Sequence, residues 1–124
     1  MARIFIIEDD RGWEQFYRRL FRDFELSVFH DGVSAVAEMN DPLPDVVILD
    51  LLLNGPTGFE ILNEMQSYPE LSSVPVVIVS SVVMPAEDAE ALECYGVCRS
   101  FDKATMDPRE LLGCVASLVE AGNE

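Results

Sequence analysis

DVVILDLLLNGPTG, residues 45–58, decides how this chain folds. Val46, Val47, Ile48 and Leu49 form an unbroken apolar run, Asp50 closes it with a charge, and Asn54, Gly55 and Pro56 then break the chain into a turn. A short run that is apolar at every position, rather than at alternate ones, is what a strand buried on both faces requires, and such strands belong to parallel sheets sandwiched between helices. An isolated carboxylate at the edge of a core is costly unless it is hydrogen-bonded, paired or bound to a metal. Asp50 therefore has either a cap to make or chemistry to do.

Working outward, the same kind of segment recurs. RIFII (3–7), LSVFH (26–30), DVVIL (45–49), PVVIVS (75–80) and VCRSF (97–101) are short and rich in β-branched or aromatic residues, as strands are. Residues 76–79 are again wholly apolar, which places them with 46–49 in the interior of the sheet. Helical patterns lie between. Trp13, Phe16, Tyr17, Leu20, Phe21 and Phe24 make a core-facing stripe of helical period, and Leu111, Leu112, Val115, Leu118 and Val119 make another. Thr57 with Glu60, and Asp107 with Pro108 and Glu110, are helix-starting capping boxes; further helices are expected near 32–40 and 85–95. Strand and helix alternating five times predict an α/β fold, a doubly wound parallel sheet with helices on both faces.

Composition narrows the function. A chain of 124 residues, 49% apolar, is one ordinary domain able to bury roughly two-thirds of its unfolded surface. The formal net charge of −15 argues against direct nucleic-acid binding, which needs clustered Lys and Arg. No apolar run approaches the roughly 20 residues of a membrane span, and MARIFIIEDD turns acidic where a secretory signal would continue apolar, so the expected location is the cytoplasm, without membrane insertion. Cys94, Cys98 and Cys114 contain no CxxC pair and are expected to be reduced packing residues.

In doubly wound sheets ligands bind beyond the carboxyl ends of the strands, where the strand order reverses. Strand one ends in Glu8, Asp9 and Asp10, strand three in Asp50, strand four in Ser80 and Ser81, and Lys103 follows strand five by two residues. One rim is expected to collect them all. Carboxylates brought that close repel each other unless a cation intervenes, and oxygen donors without His or Cys favour a hard ion such as Mg²⁺. Each residue also has a plainer role open to it: Asp9 or Asp10 could cap the first helix, Ser80 could satisfy a turn, and Lys103 could be a surface charge. His30 is expected to end strand two, and the acidic run Glu87, Asp88, Glu90 and Glu93 to be a solvated helix face.

These residues carry a resemblance over almost the whole chain. FIIEDD, VVILDLLLNGPTGFEIL, PVVIVSS and FDK, in that order and spacing, are similar to the receiver domains of two-component response regulators. The resemblance implies a flavodoxin-like five-stranded sheet of order 2-1-3-4-5, and a single receiver domain over residues 1–124 without an output domain. It makes Asp50 the carboxylate that accepts a phosphoryl group from a histidine kinase or a histidine phosphotransfer protein. Glu8 and Asp9 match the acidic pair that holds Mg²⁺ with Asp50, and Leu52 the position that lends its backbone carbonyl to the metal. Ser80 matches the hydroxyl and Lys103 the ammonium that meet the phosphoryl group. Such a domain signals by changing its docking surface toward a downstream protein target, and it is not an enzyme beyond its own phosphorylation and dephosphorylation.

The sequence departs from the receiver pattern at three places. Asn54 and Ala104 stand where prolines are common, and Ser100 where an aromatic residue commonly moves inward on activation. Any switch is then expected to act through the loop after strand four. Two other classes of function fit the residues less well. A phosphorylation-independent adaptor would keep the fold without needing the acids, hydroxyl and lysine. A phosphatase of the haloacid-dehalogenase type would need an Asp at position 52, which is Leu, and a flavin phosphate would be repelled by the acidic first loop.

Overall fold

The computed structural model describes residues 1–39, 43–53, 57–81 and 92–122. In chain order the elements are β1 (Arg3–Ile7), α1 (Arg11–Leu20), β2 (Glu25–Phe29), α2 (Gly32–Glu38), β3 (Val46–Leu49), α3 (Gly58–Gln66), a short α4 (Pro69–Ser72), β4 (Val76–Ser80), β5 (Val97–Asp102) and α5 (Pro108–Gly122). The five strands form one parallel sheet in the order β2-β1-β3-β4-β5, the flavodoxin-like order.

Alternation of side chains along each strand produces two cores. Phe5, Ile7, Val47, Leu49, Val76 and Ile78 face one way and pack against Ala35 and Met39 of the α2 region, Ile61, Leu62 and Met65 of α3 and Leu71 of α4. Ile4, Ile6, Val46, Ile48, Val77 and Val79 face the other way, onto Tyr17 and Phe21 from the α1 region and Leu111 and Val115 from α5. Every residue of β3 and β4 is buried, as a strand covered on both faces must be. β5 is one of the two edges: Val97 and Phe101 are buried while Cys98, Arg99 and Ser100 are exposed, and its register against β4 shifts between Val76 and Val77.

Caps set the helix starts. The Asp10 carboxylate accepts from the Gly12 N–H at 2.8 Å, Asp31 from Ser34 at 2.8 Å, Thr57 from Glu60 at 3.3 Å and Asp107 from Arg109 at 2.9 Å. The aromatic stripe of α1 does run into the core, but the helix stops at Leu20 and Phe21 reaches its buried position from the turn leading to β2. Two expectations are corrected. α4 has no counterpart in the sequence reading, because four residues are too few for a periodic signal. Cys94 and Cys98 are exposed and do not pack; Cys114 alone is partly buried. The helix expected near 85–95 lies mostly outside the described residues, with Leu92 and Glu93 helical. Asn54, Val82, Glu87, Asp88 and Glu90 also lie outside them.

The connection from β3 to α3 is tight enough to demand glycine. A Cβ at Gly58 would stand 2.6 Å from Leu51 Cα and 2.8 Å from the Asp50 carbonyl oxygen, both backbone atoms that cannot swing aside. Gly58→Ala is therefore expected to lower stability by about 1–3 kcal/mol. Gly113, exposed within α5 where an added Cβ would meet nothing within 4 Å, should behave oppositely: Gly113→Ala is expected to stabilise by about 0.5–1 kcal/mol. Urea unfolding of both variants checks the contrast.

Candidate functional site

Three backbone hydrogen bonds carry the ladder past the strand ends and fix the site. Glu8 N–H donates to Phe29 O at 2.9 Å, Asp50 N–H to Ile7 O at 3.1 Å, and Lys103 N–H to Ser80 O at 3.0 Å. Residues remote in sequence thus arrive on one rim, at the carboxyl ends of β1, β3, β4 and β5.

The structure brings most of the sequence-predicted residues together there. Among the described residues, Glu8, Asp50 and Ser80 are the buried polar ones, at 1%, 5% and 1% exposure. Lys103 Nζ lies 2.8 Å from Asp50 Oδ2 and also pairs with Glu8 Oε1. Asp50 Oδ1 accepts the Leu52 N–H at 3.0 Å, and the Ser80 hydroxyl lies close enough to the same carboxylate to help hold it ionised. Asp9 is partly exposed at the edge. Asp10 is the helix cap, so the plainer reading holds for it and leaves Asp9 free of that duty. Leu52 projects its side chain into solvent, 56% exposed, beside the carboxylate.

Glu8, Asp9 and Asp50 each offer a carboxylate oxygen within 4.8 Å of the others, an all-oxygen donor set suited to Mg²⁺. Neither buried oxygen of Glu8 has a hydrogen bond among the described residues, although Lys103 forms an ion pair with one. An acceptor left in that state is what a bound cation would satisfy. The residues present fit the metal.

Four further residues, His30, Glu14, Arg18 and Trp13, make contacts around the site that the sequence did not reveal. His30 lies just past β2, with Nδ1 2.8 Å from the Glu8 carbonyl oxygen and Nε2 2.9 Å from Glu14 Oε1, and Glu14 is also paired with Arg18 at 2.9 Å. This chain of contacts ties the β1–α1 loop to the end of β2. The i,i+4 spacing of Glu14 and Arg18 was readable, but their link to His30 depends on strand pairing. Trp13, read as core, sets its ring 4.8 Å from Lys103 Nζ.

Burial pushes the Glu8 carboxyl up to about 8, helped by the Asp50 carboxylate beside it and opposed by Lys103. Burial acts on Asp50 in the same sense but is outweighed by Glu8, Lys103, the Leu52 N–H and the Ser80 hydroxyl, which hold it below the ordinary range. The two acids are driven apart: with no cation bound, Glu8 is the one pushed toward its protonated form and Asp50 the one held ionised. Because the folded state binds the Glu8 proton more tightly than the unfolded chain does, this stability is present below pH 4.5 and is lost as pH rises toward 8. In chelator, urea midpoints are expected to fall over that window. Glu8→Gln should flatten the fall and leave the variant on the order of 2 kcal/mol above wild type at pH 8. Parallel pH profiles for the two proteins would contradict this assignment.

Comparison with known proteins bears on the same residues. The family model of the response regulator receiver domain matches residues 4–115. The sensory transduction protein RegX3 of Mycobacterium tuberculosis is 30% identical over 129 residues, an alignment that takes in 100% of this chain and 53% of RegX3. The chain spans about half the length of that relative. Among solved structures, the receiver domain of the Francisella response regulator 1452 superimposes with a TM-score of 0.84 at 22% identity, covering 98% of each chain. The chemotaxis protein CheY4 of Vibrio cholerae gives 0.81 at 24% identity, covering 95% of this chain and 98% of its own. With the sheet order, the acidic rim and a family match running from β1 into α5, the chain belongs to the response regulator receiver domains of two-component signalling.

Proposed function

We propose that Asp50 is the phosphoacceptor of this domain, receiving a phosphoryl group from a histidine kinase or a histidine phosphotransfer protein in the presence of Mg²⁺. The observation that carries the reading is the environment of one carboxylate. Asp50 is buried, kept ionised, and contacted by an ammonium, a hydroxyl and a backbone N–H, with two further acids alongside.

That environment suits phosphoryl transfer, in which catalysis is mostly positioning and charge stabilisation. A carboxylate oxygen of Asp50 forms a bond to phosphorus as the phosphorus–nitrogen bond of a phosphohistidine breaks, and the departing imidazole nitrogen takes up a proton. Lys103 is placed to pair with an equatorial oxygen of the phosphoryl group, and Ser80 to donate its hydroxyl to another. Glu8, Asp9, Asp50 and the Leu52 carbonyl would hold Mg²⁺, which supplies further neutralisation of the phosphoryl oxygens. Ser80 ends β4, so a hydroxyl drawn toward a phosphorylated Asp50 takes Ser81 and the chain beyond with it. Readout then starts from the end of β4 at Ser80 and Ser81, because Ser100 is a small exposed residue with no ring to move inward. The changed surface signals to a downstream protein.

Intact mass is expected to show one added phosphoryl group, about 80 Da, after incubation with Mg²⁺ and a small phosphodonor, and none in Asp50→Asn or in chelator. Labelling that persists in the Asn variant would defeat the assignment, and a wild type that stays unlabelled would favour the phosphorylation-independent adaptor. The lifetime of the acyl phosphate offers a second test. Hydrolysis requires an in-line water, and the exposed Leu52 side chain beside Asp50 cannot hydrogen-bond it. Leu52→Asn is expected to speed loss of phosphate by about 3- to 10-fold, the scale of one added hydrogen bond to the attacking water. Equal or slower decay would reject that role for position 52.

A further inference from the structure

Lys103 has a neighbour that the phosphoacceptor reading does not use. Besides its carboxylate partners Glu8 and Asp50, its Nζ stands 4.8 Å from the centroid of the Trp13 ring. Trp13 is itself held firmly. It lies in the first turn of α1, where its N–H donates to Asp10 O at 3.1 Å and the Asp10 side chain caps the helix. Phe16 meets the indole edge-on with centroids 5.1 Å apart, and Tyr17, fully buried, meets it at 6.0 Å. The indole is half-buried and packed by two neighbouring rings.

We propose that Trp13 is a positioning residue for Lys103, its ring holding the ammonium at the mouth of the site so that the charge is already in place when Asp50 receives a phosphoryl group. The inference rests on the phosphoacceptor role of Asp50 proposed above. A lysine side chain has four rotatable bonds, and ordering it in one rotamer is entropically costly. The loop that bears Lys103 is fixed in its backbone, through Lys103 N–H to Ser80 O at 3.0 Å and Ala104 N–H to the Asp102 carboxylate at 2.8 Å, but neither bond aims the side chain. Carboxylates alone cannot aim it through the reaction, since phosphorylation converts Asp50 from a partner into an acyl phosphate and forces the ammonium to exchange it for a phosphoryl oxygen. A ring face attracts the cation through its quadrupole without consuming an N–H donor. Trp13 can therefore keep hold of Lys103 while its hydrogen bonds change hands. The site is partly desolvated, Lys103 being 12% exposed, where such an attraction is least screened.

The test compares wild type with Trp13→Phe, Trp13→Leu and Trp13→Met, the last two apolar without a ring face. Two quantities are read: the rate of phosphorylation of Asp50 by phosphoramidate in Mg²⁺, and the NMR shift of the Lys103 ε-methylene protons in the unphosphorylated protein. In wild type the ring should displace those protons upfield. Trp13→Leu and Trp13→Met are expected to lose the displacement and to be phosphorylated roughly three- to tenfold more slowly, while Trp13→Phe keeps part of both. Urea midpoints identify the variants that remain folded, and either apolar variant suffices for the comparison. If labelled wild type and a folded apolar variant react equally fast, or if the ε-methylene shift does not depend on the ring, Trp13 does not position Lys103. A wild type with no phosphoryl group on Asp50 overturns the phosphoacceptor reading first, and the inference falls with it.

Discussion

Lys103 is the counter-charge on which the site turns. Glu8 and Asp50 are carried into the same buried corner by adjacent strands, and two carboxylates so placed cannot both ionise without compensation. Lys103 supplies it from the end of β5, touching both acids at once. Burial, with the Asp50 carboxylate beside it, pushes Glu8 up to about 8 against the pull of Lys103, while Glu8, Lys103, the Leu52 N–H and the Ser80 hydroxyl together hold Asp50 low. The same crowding of acids leaves the corner suited to a divalent cation and, under the proposed phosphorylation of Asp50, to a rearrangement of the lysine. Removing one member of such a set exposes the others, so single substitutions here should act on stability and on chemistry together.

Around that corner the fold is built for rigidity on the inside and latitude at the edge. β3 and β4 are packed on both faces, and Gly58 lets the start of α3 approach the Asp50–Leu51 backbone closely. β5, by contrast, buries only Val97 and Phe101 among its side chains and shifts register against β4. Under the proposed phosphorylation of Asp50, the new group would form at the end of a fully buried strand and meet Ser80 at the end of another, with Lys103 reaching it from the end of the less buried β5.

The strands, the doubly wound sheet and the grouping of Glu8, Asp9, Asp50, Ser80 and Lys103 at strand ends were legible because each rests on a local rule. Wholly apolar runs mark interior strands, capping residues mark helix starts, and the carboxyl edge of a parallel sheet collects whatever follows its strands. Where sequence reasoning fell short, the missing information was spatial. Asp9 and Asp10 are equivalent as letters, and only the turn into α1 makes one the cap and leaves the other at the rim. Cys94 and Cys98 read as apolar but fall on exposed positions, since one edge-strand face and a turn were not distinguishable from core by residue type.

Periodicity and residue chemistry were enough to dictate a parallel α/β sheet, its interior strands, and an oxygen-rich, lysine-bearing rim. The partnerships across that rim came from packing in three dimensions. His30 meets Glu8 and Glu14 because β2 lies beside β1, and Trp13 faces Lys103 because α1 and the end of β5 converge on one side of the sheet, 90 residues apart in the chain. Such contacts join positions whose separation carries no pattern. They are fixed by strand order and helix packing, so no local reading of the chain could supply them.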